Sequence, residues 1–390
     1  MNDIAGMIRG IAPAYDLGPL DDLAGYTVER YPKSQIVRAG KLVGGSHAEP
    51  TDELVEAFKV AHRWRDAHVY PMRGVRSELG RLSRKLEDNS ITAGRLKRMS
   101  SIRRKLRRNR TLYQIQDISG CRAIMWSMDN LRELQNIYLN GGSRHEVIDQ
   151  DNYIAEPKRD GYRSHHLVLR FDGPEEHTGG NRLVVEVQLR SRLQHAWATA
   201  VEAVGFVRKE NLKAGEGSPE WLRLFQLMSG EIARAEGCLV PPSCPEGERE
   251  RRAELRELEA SLEAIKTLES YNQAIRHAEE YLSLRGNSYL IRYDMDSHRV
   301  SVSTFSQFRS AAVQYFNAEM FSAESENSVL VEVDRVEDLR DAYPNYFLDV
   351  TRFTTLLRTA VLGAFAAQRP GPAQVPASKW ASVLHWMRNG

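Results

Sequence analysis

The sequence predicts an α/β (α+β) fold. Two observations carry that expectation: apolar residues return at three- and four-residue steps through long stretches, and short runs rich in Val, Ile and Leu lie between them with strand-like patterning. A third sets the scale, since 390 residues with 42% hydrophobic composition bury a sizeable core. That length favours two domains, or one domain with an appended module.

The elements follow in order. Residues 1–50 read as an N-terminal extension and 51–240 as the main domain. From Asp52 to Leu86 the apolar spacing predicts helices broken by Pro71. RLKRMSSIRRKLRRNR, from Arg95 to Arg110, reads as a helix with a stripe of Leu96, Met99, Ile102 and Leu106. CRAIMWS at 121–127 reads as a strand. HLVLRF and RLVVEVQL, joined by the turn-rich DGPEEHTGGN, read as a hairpin. Helical periodicity resumes from Leu193 to Val204 and in EWLRLFQLMSGEIARAEG, until Pro241, Pro242 and Pro245 mark a boundary. A charge-dense helix is predicted over 246–285, with Leu255, Leu258, Leu262 and Ile265 forming a narrow stripe suited to strut or coiled-coil packing. Residues 286–368 read as a small α+β module of hairpin, helix, strand and helix. A Pro-rich linker and tail with Trp380 and Trp386 occupy 369–390. No repeat of solenoid length is visible.

Bulk charge says little, because 54 basic residues nearly balance 52 acidic ones for a net of +2. Any polyanion site must be local. Cys121, Cys238 and Cys244 form no CxxC pair, so neither a disulfide framework nor a zinc module is supported. No apolar run approaches the roughly 18 residues needed to span a bilayer, and the N-terminus lacks a secretory pattern. The expectation is a cytoplasmic protein without a membrane partner.

Three clusters stand out chemically. Nine arginines and lysines crowd Arg95–Arg110. Arg95 falls inside the apolar arc of that helix, so it either precedes the helix or points inward at an anion. Arg95, Lys97, Ser101 and Lys105 mix fork-shaped and point-charge donors, as a nucleoside triphosphate requires; a solvated basic face is the plain alternative.

Asp117 comes just before CRAIMW. Glu186 lies in LVVEVQL, where alternation sets Leu183, Val185, Val187 and Leu189 against Glu186, Gln188 and Arg190. Either Glu186 faces solvent on a wet strand face, or the two carboxylates hold Mg²⁺, which takes oxygen ligands and keeps several waters. Arg122 either pairs with Asp117 or reaches phosphates.

YIAEPKRDGYRSHH places Lys158, Tyr162, Ser164 and His166 in a Gly- and Pro-containing turn. An aromatic there either packs or offers a face for base stacking, worth about 1–3 kcal/mol. His165 and His166 point to opposite faces of a strand, which argues against a shared metal. His195 and Glu202, seven residues apart, read as supports of the site or as interface polars.

In this order the four motifs RLKRMSSIRRKL, DISGCRA, YIAEPKRDGYRSHH and VEVQLRSRLQHAWATAVE resemble the synthetase domain of the RelA/SpoT family, over roughly residues 55–235. The resemblance implies a nucleotidyltransferase-like mixed β-sheet flanked by helices. It implies an ATP-dependent pyrophosphokinase of the GTP diphosphokinase type, with Mg²⁺ as cofactor, which moves pyrophosphate from ATP to the ribose 3′-hydroxyl of GTP or GDP to make (p)ppGpp-type alarmones. Arg95, Lys97, Ser101, Lys105 and Arg122 would bind ATP. Asp117 and Glu186 would be catalytic and hold the metal, with Glu186 the base. Lys158, Tyr162, Ser164, His166, Gln188 and Arg190 would bind the acceptor, Tyr162 by stacking on its base.

No His-Asp hydrolase segment precedes the domain, so hydrolase activity is not expected. The chain departs from the family at Asn152, at the acidic Asp149 and Asp151, at Asp160 and at His165, and the first of these lie where the acceptor is chosen. Two alternatives follow. One is a toxin that pyrophosphorylates the tRNA 3′ end, with a fused C-terminal neutralising or phage-sensing module as in toxin–antitoxin systems. The other is a catalytically inactive nucleotide sensor. A homo-oligomer and a protein trigger acting on the C-terminal module complete the expected partners.

Overall fold

The computed structural model describes residues 30–46, 51–108, 110–273, 288–294, 299–321, 326–333, 338–347 and 349–362. Most of the N-terminal extension, the end of the charged helix beyond residue 273, and the tail with Trp380 and Trp386 lie outside the described residues. The helices, in chain order with the strands between them, are α1 (Lys33–Gly44), α2 (Asp52–Asp66), α3 (Val69–Leu86), β1 (Ile91–Leu96), α4 (Met99–Leu106), β2 (Ser119–Met125), α5 (Met128–Leu139), β3 (Glu146–Asn152), β4 (His165–Arg170), β5 (Val184–Ser191), α6 (Arg192–Val207) and α7 (Pro219–Ala235). After the proline cluster come α8 (Glu248–Leu262), α9 (Ala264–Gln273), β6 (Ser288–Asp294), β7 (Arg299–Phe305), α10 (Phe308–Phe321), β8 (Glu326–Val333), α11 (Asp338–Ala342) and α12 (Thr351–Val361).

Helix starts obey capping chemistry. Thr51 Oγ1 accepts from Leu54 N, Ser127 Oγ from Asn130 N, and Ser218 Oγ from Trp221 N ahead of Pro219. Ser191 and Gln194 form a reciprocal capping box at the start of α6.

One mixed sheet of eight strands runs β3-β4-β5-β2-β1-β8-β6-β7. β2 and β5 pair in parallel, Gly120 opposite Glu186, and the other pairings are antiparallel. The expected mixed sheet flanked by helices is what the chain builds. The strands expected in a small C-terminal module continue that sheet, β8 adding to the edge of β1. One core joins α6 and α7, through Trp197, Val201, Leu224 and Phe225, to Ile291, Val331, Tyr343 and Phe353 from beyond residue 286. On the other side α3 and α5 cover β2, β4 and β5. A third cluster packs α1, α2 and α4 together. Among the described residues no helix is long and apolar enough to cross a membrane.

Several local readings change. The helix expected over Arg95–Arg110 is shorter: Arg95 and Leu96 belong to β1, where Arg95 pairs with Gly120, and only Met99–Leu106 is helical. The inward arginine of the helical wheel is therefore a strand residue, and Arg98 in extended conformation is the joint. Pro71 does not break the lead-in helix; it sits in the first turn of α3, where its missing N–H is harmless. The charged helix is two, because Glu263 adopts a left-handed conformation with φ of 44°. β3 has no apolar alternation to announce it: five of its seven positions are polar or charged, all but Val147 and Ile148, as suits an edge strand.

Candidate functional site

The C-terminal ends of β1 and α4, the start of β2 and the middle of β5 converge on a cavity of about 380 Å³. Of the residues expected to bind or react, Arg95, Lys97, Lys105, Asp117, Arg122, Lys158, Tyr162, His166, Glu186, Gln188 and Arg190 line it together. Ser101 does not. It lies on α4 in an adjoining basic cleft of about 860 Å³ that shares Arg95, Lys97 and Lys105 with the first.

Asp117 stands in the turn before β2. Its Oδ2 accepts from both Lys97 Nζ and Lys105 Nζ at 2.8 Å, while Oδ1 is buried with no hydrogen-bond partner. Burial pushes the carboxyl up, but the two ammonium groups win and hold it below the ordinary range. Burial conversely lowers Lys97, against the pull of Asp117.

Glu186 projects from β5 on the face opposite Val185 and Val187, which are fully buried. His166 Nδ1–H donates to its Oε1 at 3.0 Å and Gln188 Nε2 to its Oε2 at 2.7 Å. Burial raises this carboxyl, yet the bonds from His166 and Gln188 bring it down to about 2. The chain of contacts continues: Tyr162 Oη lies 2.6 Å from His166 Nε2 and accepts from Arg190 Nη2 at 2.6 Å. With its Nδ1 turned to Glu186 and its Nε2 to the Tyr162 hydroxyl, the His166 ring bridges the carboxylate and the loop that carries Tyr162. The Tyr162 ring therefore stands edge-on to His166 and has Lys158 Nζ 5.5 Å from its centroid.

A depressed carboxyl stabilises the fold above its unfolded value near 4.3 and loses that contribution as pH falls through about 2. The thermal-stability margin of the wild type over Glu186→Gln is expected to be flat from pH 5 to 8, at most roughly 3 kcal/mol, and to shrink below about pH 4. A margin that changes between pH 6 and 8 would show that another group sets it.

Ser164 is a correction. It is fully buried, donates to Leu189 O at 3.2 Å and accepts from Arg190 Nε at 3.3 Å, so it braces Arg190 instead of lining the cavity. His165 turns to the opposite face, as period two requires, and meets Gln150. Asp160 spends one oxygen on Tyr162 N at 2.8 Å.

Arg122 lines the cavity and does not pair with Asp117: Nη1 donates to Ala342 O at 3.0 Å and Nη2 to Gln188 Oε1 at 3.5 Å. His195 Nε2 donates to the neighbouring carbonyl, Asp341 O, at 3.0 Å. Glu202 pairs with Lys213 and accepts from Asn345 Nδ2 at 2.8 Å. Tyr343 itself lines the cavity, and Tyr346 lines the adjoining cleft. Sequence reasoning missed this wall, because DAYPNYF sits in a proline turn with neither helical nor strand periodicity.

Among the described residues there is no group of three or more His, Cys, Asp and Glu that suits a metal. The donor set nevertheless fits Mg²⁺, which is commonly held by one or two carboxylates with substrate phosphates supplying the rest. Asp117 Oδ1 is an orphaned buried oxygen, and Glu186 faces the same cavity.

Comparison with known proteins bears on this geometry. A family model of the region found in RelA / SpoT proteins matches residues 94–209. The chain is similar to the GTP pyrophosphokinase YjbM of Bacillus subtilis, 32% identical over 160 residues that make up 37% of this chain and 74% of that protein. It is also similar to the chloroplastic GTP diphosphokinase CRSH1 of Oryza sativa subsp. japonica, 26% identical over 166 residues, 39% of this chain and 27% of that one. Among solved structures, small alarmone synthetase 1 of Bacillus subtilis bound to its product pppGpp aligns with 25% identity over 48% of this chain and 94% of that chain, at a TM-score of 0.38.

Proposed function

The chain belongs to the RelA/SpoT family and is an enzyme of the GTP diphosphokinase type, and from that premise we propose that it transfers pyrophosphate from ATP to the ribose 3′-hydroxyl of GTP or GDP, without hydrolase activity. The observation that carries this reading is the meeting, in one cavity, of two carboxylates, the cations of β1 and α4, and the aromatic acceptor loop. Lys97, Lys105 and Arg95 would bind the triphosphate, with Ser101 at the entrance. Asp117 and Glu186 would hold Mg²⁺, which when bound neutralises phosphate charge and aligns the reacting oxygens. The acceptor base would lie on Tyr162, with Lys158, Gln188 and Arg190 around it.

The 3′-oxygen forms a bond to the β-phosphorus as the bond from that phosphorus to the AMP oxygen breaks. Its proton is taken by the Glu186 carboxylate as AMP departs. A carboxylate held near 2 is a weak base, but a loose phosphoryl transition state draws little on the nucleophile's deprotonation, so orienting the hydroxyl is the larger contribution. The test is ATP labelled in its γ-phosphate, given with Mg²⁺ and with GTP, GDP or bulk tRNA. Label on the guanine nucleotide supports the reading. Label on tRNA alone replaces it with a tRNA 3′-end pyrophosphokinase.

A second reading, that the C-terminal segment neutralises the site, draws on the contacts of residues 341–346. Arg122 is engaged by the Ala342 carbonyl and Tyr343 lines the cavity where substrate phosphates would reach Arg122. If that segment competes with ATP, Tyr343→Ala should lower the apparent KM for ATP by about tenfold, since a competing closed state scales apparent affinity by the open fraction. An unchanged KM for ATP in a folded variant would leave Tyr343 as a structural wall.

A further inference from the structure

Arg163 lies between Tyr162 and Ser164 but is turned away from the cavity. Its side chain is 2% exposed, and Nη1 donates to Glu236 Oε2 at 3.1 Å. Glu236 follows the last turn of α7 and is itself 4% exposed. The same carboxylate accepts from Gln194 Nε2 at 2.9 Å and from Ser191 Oγ. Those two residues are the capping box that opens α6, one residue beyond Arg190. A single buried carboxylate thus ties together the acceptor loop, the junction behind Glu186, Gln188 and Arg190, and the end of α7.

The loop is fastened to α7 at a second point. Ser229 Oγ donates to Gly161 O at 2.5 Å, and Gly161 holds φ of 92° where a Cβ would come within 3.0 Å of the Ser229 side chain. An isolated buried ion pair is often no more stabilising than apolar residues of similar volume. Stability alone therefore gives no reason to bury Arg163 and Glu236 here. Geometry gives one: Tyr162, next to Arg163 in the chain, must stand where its hydroxyl meets both His166 and Arg190.

We propose that Glu236 is a positioning residue for the acceptor nucleotide, acting through Arg163 to fix the loop that presents Tyr162 and His166. The inference rests on the pyrophosphokinase reading of the site. It separates the two substrates, because Arg95, Lys97 and Lys105, assigned to the triphosphate, lie at the end of β1, just after it and on α4, and take no part in this network. A loop loosened at Arg163 changes acceptor binding and leaves ATP binding as it was.

The experiment uses the full chain with Glu236→Gln, Arg163→Met and the double variant. Steady-state kinetics give the KM for the acceptor and for ATP separately, and hydrogen exchange reports on residues 159–164. The expected result is an acceptor KM raised about tenfold in each single variant, with ATP KM within about twofold of wild type. Exchange at 159–164 rises in both, and the double variant is no worse than either single one, as expected of residues acting as one unit. Equal rises in both KM values, additive effects, or unchanged exchange would overturn the inference. Should Glu236→Gln not fold, Arg163→Met leaves the Ser191 and Gln194 bonds in place and carries the same comparison. If the wild type transfers no pyrophosphate to any acceptor, the functional reading fails on its own, while the exchange result still decides whether Glu236 holds the loop.

Discussion

Asp117→Asn is expected to cut ATP-dependent AMP release by about 10³-fold or more, in a chain that remains folded. The change keeps the shape and one acceptor oxygen but removes the charge that Lys97 and Lys105 both approach at 2.8 Å. Two consequences compound. The expected metal loses an anionic oxygen, and charge neutralisation at phosphates supplies several kcal/mol of the barrier reduction. The two ammonium groups, left without their shared counter-ion, repel each other beside the triphosphate. The cost to stability is modest, roughly 1–2 kcal/mol, because Lys105 is 45% exposed and water screens it. Circular dichroism and a melting curve separate loss of chemistry from loss of fold. Near-normal AMP release from a folded Asp117→Asn would remove Asp117 from the site, and would revive the reading of the chain as something other than a metal-assisted transferase.

Removing residues 250–390 should yield a chain that does not fold, instead of an unleashed catalytic domain. Ile291, Val331, Tyr343, Phe347, Phe353 and Leu357 are among the buried residues that pack in one core with Trp197, Trp221, Leu224 and Phe225. Each such side chain contributes about 1.5–3 kcal/mol when buried, and half a dozen already match the 5–15 kcal/mol by which a domain is stable. Two buried ion pairs break as well. Arg65 loses Glu319, whose other oxygen accepts from Met99 N at the start of α4, and Arg73 loses Glu332 at 2.8 Å. A soluble, cooperatively melting fragment 1–249 would contradict this account, and would make the extension a detachable regulator. Point changes at Tyr343 are for this reason the better probe of inhibition.

Much of the candidate site was legible in the sequence, in that most of the residues read together as one site meet in one cavity. Asp117 and Glu186 were visible as carboxylates bracketing apolar strands, and period two put Glu186, Gln188 and Arg190 on one face, where the structure has them. The hairpin of β4 and β5 followed from alternation around a glycine-rich turn. What escaped was set by contacts distant in sequence. Arg95 looked helical because its neighbours share a 3.6-residue pattern, but pairing with Gly120 draws it into a strand. Ser164 looked available until Leu189 O and Arg190 claimed it. Glu236 and Tyr343 carry no local pattern, since Gln194, Arg163 and Arg122, which they meet, lie about 40 to 220 positions away.

The place of β8 in the sheet has a consequence for how the enzyme comes into being. β1 holds Arg95 and leads into Lys97, yet its second edge is closed only by residues about 240 positions later, Gly94 opposite Glu332. At roughly 5–20 residues per second, a ribosome needs on the order of ten to fifty seconds to make that stretch. Once Glu186 has been made and until that strand follows, a nascent chain has its acidic pair and basic helix but an open strand edge and a core missing one wall. Catalytic competence is then timed by translation itself, arriving with the last strands and not with the residues that do the chemistry.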